Sequence, residues 1–98
     1  MTEEEKERLK KEINSGIDKL NARIESLKGR EAELEGKLRK DLQNRIADLE
    51  EKRRDLLSRS SDLGQAAGEA ARNLGDGVKS AFKELERGVN SSWDEFRK

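Results

Sequence analysis

Ser58, Ser60 and Ser61 form the hydroxyl cluster that a nucleophilic mechanism would draw on. A serine oxygen is a weak nucleophile until a neighbouring base takes its proton, and this chain has no histidine. Small polar residues in such a cluster serve better as turn and capping groups. The 22 Asp and Glu residues could suggest a paired acid and base. Nearly all, however, stand near Lys or Arg in patterns expected of solvated helix faces, where they act as salt-bridge decoration. Without Cys or His a transition-metal site would rest on carboxylates alone, which is a poor donor set for such ions. Gly64 and Gly68 follow no strand, so they make no phosphate loop. Adjacent basic residues such as Lys10-Lys11 and Arg53-Arg54 are too few for a nucleic-acid footprint at zero net charge. The residues therefore point away from an enzyme. No catalytic, cofactor-binding or metal residues are expected, and neither a small-molecule substrate nor nucleic acid.

What remains is the set of elements that would have positioned such groups. The chain has 98 residues, enough for one domain, and 45% of them are charged. Only 20 are Leu, Ile, Val or Phe, a content near that of disordered chains. Those residues are periodic, however, and proline is absent, so long amphipathic helices are the better reading. No apolar run reaches the roughly 18 residues of a membrane span. The opening MTEEEKERLKKE is acidic and polar, unlike a secretory or transit signal, and a cytoplasmic location is expected.

Thr2 and Glu5 have the spacing of a capping box, with Glu3 and Glu4 favourably placed on the first-turn dipole. From there Leu9, Ile13, Ile17, Leu20, Ile24, Leu27, Leu34, Leu38, Leu42, Ile46, Leu49 and Leu56 recur in steps of three, four or seven. That is a coiled-coil seam, with Glu31 and Arg53 as charged intruders that would select register or partner. Glu33–Lys37, Glu35–Arg39, Asp41–Arg45, Asp48–Lys52 and Glu50–Arg54 have the acid-to-base spacing that supports an exposed helix by about 0.2–0.5 kcal/mol a pair.

From Leu63 the chain changes character and repeats every eleven residues as LGQAAGEAARN, LGDGVKSAFKE and LERGVNSSWDE. Eleven residues are three helical turns with little drift, so recurring places line one apolar stripe. The stripe is Leu63, Ala67, Leu74, Val78, Phe82, Leu85, Val89, Trp93 and Phe96. Five glycines in this segment (Gly64, Gly68, Gly75, Gly77 and Gly88) cost on the order of 4–5 kcal/mol of helix propensity. Such a helix needs a partner surface, and its small residues would let that partner approach closely.

Ser58 to Asp62 is the best break, because Asp62 and Gln65 resemble a fresh N-cap and its partner. The expected organisation is a charged coiled-coil helix over residues 1–58, a turn at 59–62 and a Gly/Ala-rich amphipathic helix over 63–98. The fold expected is all-α, a long antiparallel helical hairpin or coiled coil. The first helix would outreach the second, so its uncovered seam requires either self-association or a bend near Gly29 that makes a three-helix bundle. A straight parallel coiled coil explains the seam but not the polar cluster. The stripe could also serve a lipid surface, but the six basic and six acidic residues of 63–98 give no net pull towards anionic headgroups.

The charged stretch ELEGKLRKDLQNRIADLEEKRRDLLSR followed by GEAARNLGDGVKSAFKELERGVNSSWDEF resembles a family of small bacterial coiled-coil stress-response proteins. The resemblance spans roughly residues 31–96. Its most specific part is LGDGVKSAF…LERGVNSSWDEF, although members of that family often have Trp where this chain has Phe82 or Ala71. It implies a non-enzymatic, soluble helical protein linked to stress, with no catalytic residues to carry over. The functional expectation is a non-catalytic interaction protein, a structural or protective factor acting through its amphipathic helix. Its expected partners are a second copy, a client protein or a membrane surface. The alternative is a peripheral membrane binder whose C-terminal helix folds on lipid.

Overall fold

The N-terminal capping box forms as its spacing predicts in the computed structural model, which describes residues 1–96. The Glu5 N–H donates to Thr2 Oγ1 at 3.1 Å, and the Thr2 N–H donates back to Glu5 Oε1 at 3.3 Å. Two orphan donors of the first turn are thereby satisfied. The helix so started, α1 (Glu3–Glu31), is followed by α2 (Gly36–Gln65) and α3 (Gly68–Phe96). Arg97 and Lys98, included in the expected second helix, lie outside the described residues.

Both expected breaks move, each for a visible reason. The bend expected near Gly29 comes a few residues later, because Gly29 lies inside α1, which stays helical to Glu31. The turn comes at residues 32–35, where the Glu33 and Leu34 amides close on Arg30 O and Glu31 O. Glu35 is extended, and Gly36 enters α2 with φ +62, a left-handed value that favours glycine. The second turn is not at 59–62. Ser58 to Gln65 stay helical because Leu56, Ser60 and Leu63 continue the four-three seam, and Ser60 is buried as a small residue within it. The chain reverses at Ala66-Ala67 instead, and Gly68 (φ +63) starts α3 as Gly36 starts α2.

Two cations of α1 fix the helix directions. Lys6 Nζ donates to Ala66 O at 2.9 Å and Gly64 O at 3.4 Å, so the start of α1 sits on the end of α2. Arg30 Nε donates to Phe96 O at 2.8 Å, so α1 and α3 end together. The result is an up-down-up three-helix bundle measuring 50 × 17 × 16 Å. Cations at two helix C-termini also complement the macrodipoles. Lys6 is itself buried and additionally meets Glu3 Oε1 at 3.0 Å, so each of its three protons has an acceptor. Lys6→Met is therefore expected to cost about 1–3 kcal/mol by leaving the α2 carbonyls unpaired, read as a lower urea midpoint at unchanged slope.

Every seam residue except Leu34 and Leu38 is buried, and so are Leu63, Ala71, Val78, Leu85, Val89 and Phe96. One continuous core runs the length of the bundle, and each fully buried Leu or Ile contributes about 1.5–3 kcal/mol. The intruding charges are met sideways rather than left in the core. Arg53 Nη1 donates to Asn21 Oδ1 at 2.9 Å, and Glu31 accepts from Gln43 at 2.7 Å beside Arg39. Of the five expected same-helix ion pairs only Asp48–Lys52 forms among the described residues, at 3.4 Å. Folding recruits the others elsewhere: Glu50 to Lys28 of α1, Arg45 to Glu95 of α3, Glu33 to Arg30.

Candidate interaction surface

Once α3 docks, the stripe read from the repeats is mostly consumed inside the chain. Val78, Leu85 and Val89 are fully buried and Phe96 nearly so, while Leu74, Phe82 and Trp93 are half-buried at the stripe's edges. Leu63 is buried too, but as the last seam residue of α2. Ala67 is not part of the surface at all: it lies exposed in the α2–α3 turn, where the repeat register is interrupted.

Gly75 and Gly88 of α3 act as pits for side chains rather than as places of backbone approach. A Cβ on Gly88 would lie 2.8 Å from Leu49 Cδ2, and one on Gly75 would lie 2.8 Å from Met1 Cε. In the other direction the Phe82 ring covers Gly16 of α1, leaving no room for a side chain there. Ser92, fully buried, turns its hydroxyl back to Gly88 O at 2.8 Å and so keeps the Leu49 pit small and satisfied. Gly16 was not among the residues the sequence singled out. Its only signal was its place between two seam isoleucines, Ile13 and Ile17.

Two shallow open grooves flank α3. One, ≈ 200 Å³, lies over Leu9, Ile13 and Phe82, with Glu12, Lys79 and Lys83 along its rim. The other, ≈ 390 Å³, runs between α2 and α3 over Leu49 and Gly88, with Arg45, Lys52 and Arg87 beside it. Neither brings a nucleophile to a base. Ser60, a member of the cluster considered above, is buried in the seam, while Ser58 and Ser61 are exposed. Among the described residues no group of three or more carboxylates is placed to hold a metal ion.

Among the described residues three groups titrate away from their ordinary values, all for structural reasons. The hydrogen bonds of the capping box with Thr2 hold Glu5 below the usual glutamate value. The Lys28 ammonium, 2.8 Å away, lowers Glu50, and Glu50 followed by Glu25 raises Lys28. A carboxylate lowered by folding stabilises the fold above its unfolded pKa, and that contribution fades as the pH falls through its folded value. The raised lysine contributes below its unfolded pKa and loses this as the pH climbs through its folded value. Acid below the normal glutamate value of 4.5 should thus loosen the α1–α2 contact at Lys28, and Glu50→Gln should flatten that part of the acid-unfolding curve. A variant curve superimposing on the parent's would show that the pair is fully screened by solvent.

The chain matches no protein family model, no curated protein and no solved structure. No described helix is long and apolar enough to cross a membrane. The all-α fold thus rests on the chain's own pattern and packing.

Proposed function

We propose that the chain is a non-catalytic interaction protein, a stress-related structural or protective factor whose working part is α3. One observation carries this reading. The apolar stripe of α3 is continuous from Leu74 to Phe96, yet the helix bearing it contains Gly75, Gly77 and Gly88 and is intrinsically weak. A strongly two-sided helix that holds together mainly through its docking is suited to releasing that face when the bundle is stressed. Freed, Val78, Phe82, Leu85, Val89, Trp93 and Phe96 would present one side to apolar surface exposed on an unfolding client. The resemblance to small bacterial stress-response proteins supports the same reading.

The test is aggregation of a thermally unfolding client enzyme, followed by light scattering, with Trp93 emission recorded in parallel. Suppression of scattering that sets in as Trp93 emission shifts red supports release of α3. Suppression that is complete while the bundle remains closed would place the activity on the outer surface instead, and no suppression at any temperature would remove the protective role. The lipid alternative has its own readout in the same fluorophore. Titration with zwitterionic vesicles would return the released Trp93 to blue emission if α3 folds on lipid.

A further inference from the structure

The α1–α2 connection carries the residues of a helix rather than of a loop. Residues 32–35 are Ala-Glu-Leu-Glu, three strong helix-forming types without proline or a β-branched side chain. Ala32 is already in the right-handed helical region, at φ −63 and ψ −21. The departure from helix is confined to the following residues, above all extended Glu35 (φ −135, ψ 161) and left-handed Gly36 (φ +62). The closed turn also leaves interactions unused. Leu38 is 58% exposed, the most exposed large apolar side chain described, and the Glu33–Lys37 and Glu35–Arg39 pairs do not form. Glu35 caps α2 by position only, with no side-chain hydrogen bond to the helix start.

All of these unused features would be recovered by one change. If residues 33–36 became helical, α1 and α2 would merge into a single helix of about 95 Å from Glu3 to Gln65. On that helix Leu34 and Leu38 fall within about 20° of the direction of Leu27, on the same face as Leu42. Glu33 and Glu35 would then stand one turn from Lys37 and Arg39. The cost is that α1 leaves its own α2 and α3. A second copy supplies the same two helices, with the same pits and the same carbonyls for Lys6 and Arg30.

We propose that the 32–36 turn is a hinge through which two copies of this chain exchange α1, forming a dimer built on two merged α1–α2 helices. Each α1 then packs on the partner's α2–α3 hairpin with the contacts of the closed bundle. The new surface is the crossing of the two merged helices, where Leu34 and Leu38 of each copy meet across the two-fold axis. Short connections between packed elements are a common origin of such exchange. The proposal is independent of the protective role assigned to α3, which stays docked in both forms.

The experiment measures association by light scattering after size exclusion, for the parent chain and for Gly36→Ala. Alanine is disfavoured at φ +62 and favoured inside a helix, and both hinges change in a dimer. The dimer dissociation constant should therefore fall by about a hundredfold or more. Exchange is separated from simple docking with spin labels on Cys introduced at Glu25 and Gln43, with labelled chains diluted in excess unlabelled protein. Merged helices place the two labels about 27 Å apart within one chain, whereas the closed hairpin, in which Gln43 faces Glu31 and Glu50 faces Lys28, keeps them within about two helical turns of level on adjacent helices. A Gly36→Ala dimer retaining the short distance would mean two closed bundles in contact and would overturn the exchange. So would a folded Gly36→Ala chain that stays monomeric at millimolar concentration. If that variant fails to fold, the parent refolded at high concentration decides: a dimer that disappears when four Gly/Ser residues are inserted after Glu35 supports exchange, and one that persists overturns it.

Discussion

Leu85→Asp is expected to abolish the folded bundle. Leu85 is fully buried near the middle of α3, with the core of all three helices around it. The substitution removes a buried leucine, worth about 2–5 kcal/mol with its cavity, and introduces a carboxylate with no cation inside the core to meet it. A domain of this size has on the order of 5–15 kcal/mol of stability in total, so most or all of it is lost. Far-UV circular dichroism should show loss of most helix signal at room temperature, not only of the α3 share. The seam residues of α1 and α2 lose a wall of their core when α3 leaves. Leu74→Asp, at the half-buried edge of the same stripe, should leave a folded but weakened protein. Equal effects at the two positions would mean that the stripe is not the element holding the bundle together.

The second large effect concerns glycines that look alike in sequence and differ in what surrounds them. Gly88→Leu must displace Leu49, whose Cδ2 would lie 2.8 Å from the new Cβ and which can move only outward into the groove above it, giving up its burial. Overpacking of this kind costs about 3 kcal/mol, well above the ~1 kcal/mol of helix propensity gained. Gly77→Ala meets only the end of the Arg59 side chain at 3.5 Å, an ordinary contact, and should gain nearly the whole propensity term. For a domain of this length that raises the melting temperature by about 4–8 °C, while the net loss of about 2 kcal/mol in Gly88→Leu lowers it by about 8–16 °C. Scanning calorimetry of the two variants would show opposite shifts. A rise for both would mean that the α2–α3 approach at Leu49 is loose.

How far the sequence could be read follows from where its signals were local. The capping box at Thr2 and Glu5, the seam and the stripe all depend on spacing along one helix; the capping box forms, the seam is buried except at Leu34 and Leu38, and of the stripe Ala67 falls in a turn while Leu74, Phe82 and Trp93 are half-buried. The turns depended on weighing one local signal against another. Ser58 to Asp62 looked like a break because small polar residues cluster there, yet Ser60 occupies a seam position between Leu56 and Leu63 and tertiary packing keeps it helical. Gly29 looked like a hinge by residue type alone. The glycine that turns the chain is Gly36, which stood within a run of strong helix formers. The ion pairs failed for a related reason: Glu50 had Arg54 four residues on and Arg45 had Asp41 four residues back, and folding offered each a partner on another helix. Pattern along a helix was legible, but competition between helices for the same side chain was not.

The up-down-up order has a mechanical consequence. Met1 sits beside Gly75, while Phe96 ends at Arg30, so the two ends of the described chain lie at opposite poles of a rod about 50 Å long. A pull applied between them runs along the rod and slides α1 past α3, so that the contacts along its length resist together rather than parting one at a time. Along its axis the bundle is thus loaded in shear and resists tension as a tie does. Peeling, in which a force across the rod opens the end where Lys6 holds the α2 carbonyls, would part the same helices at a far smaller load.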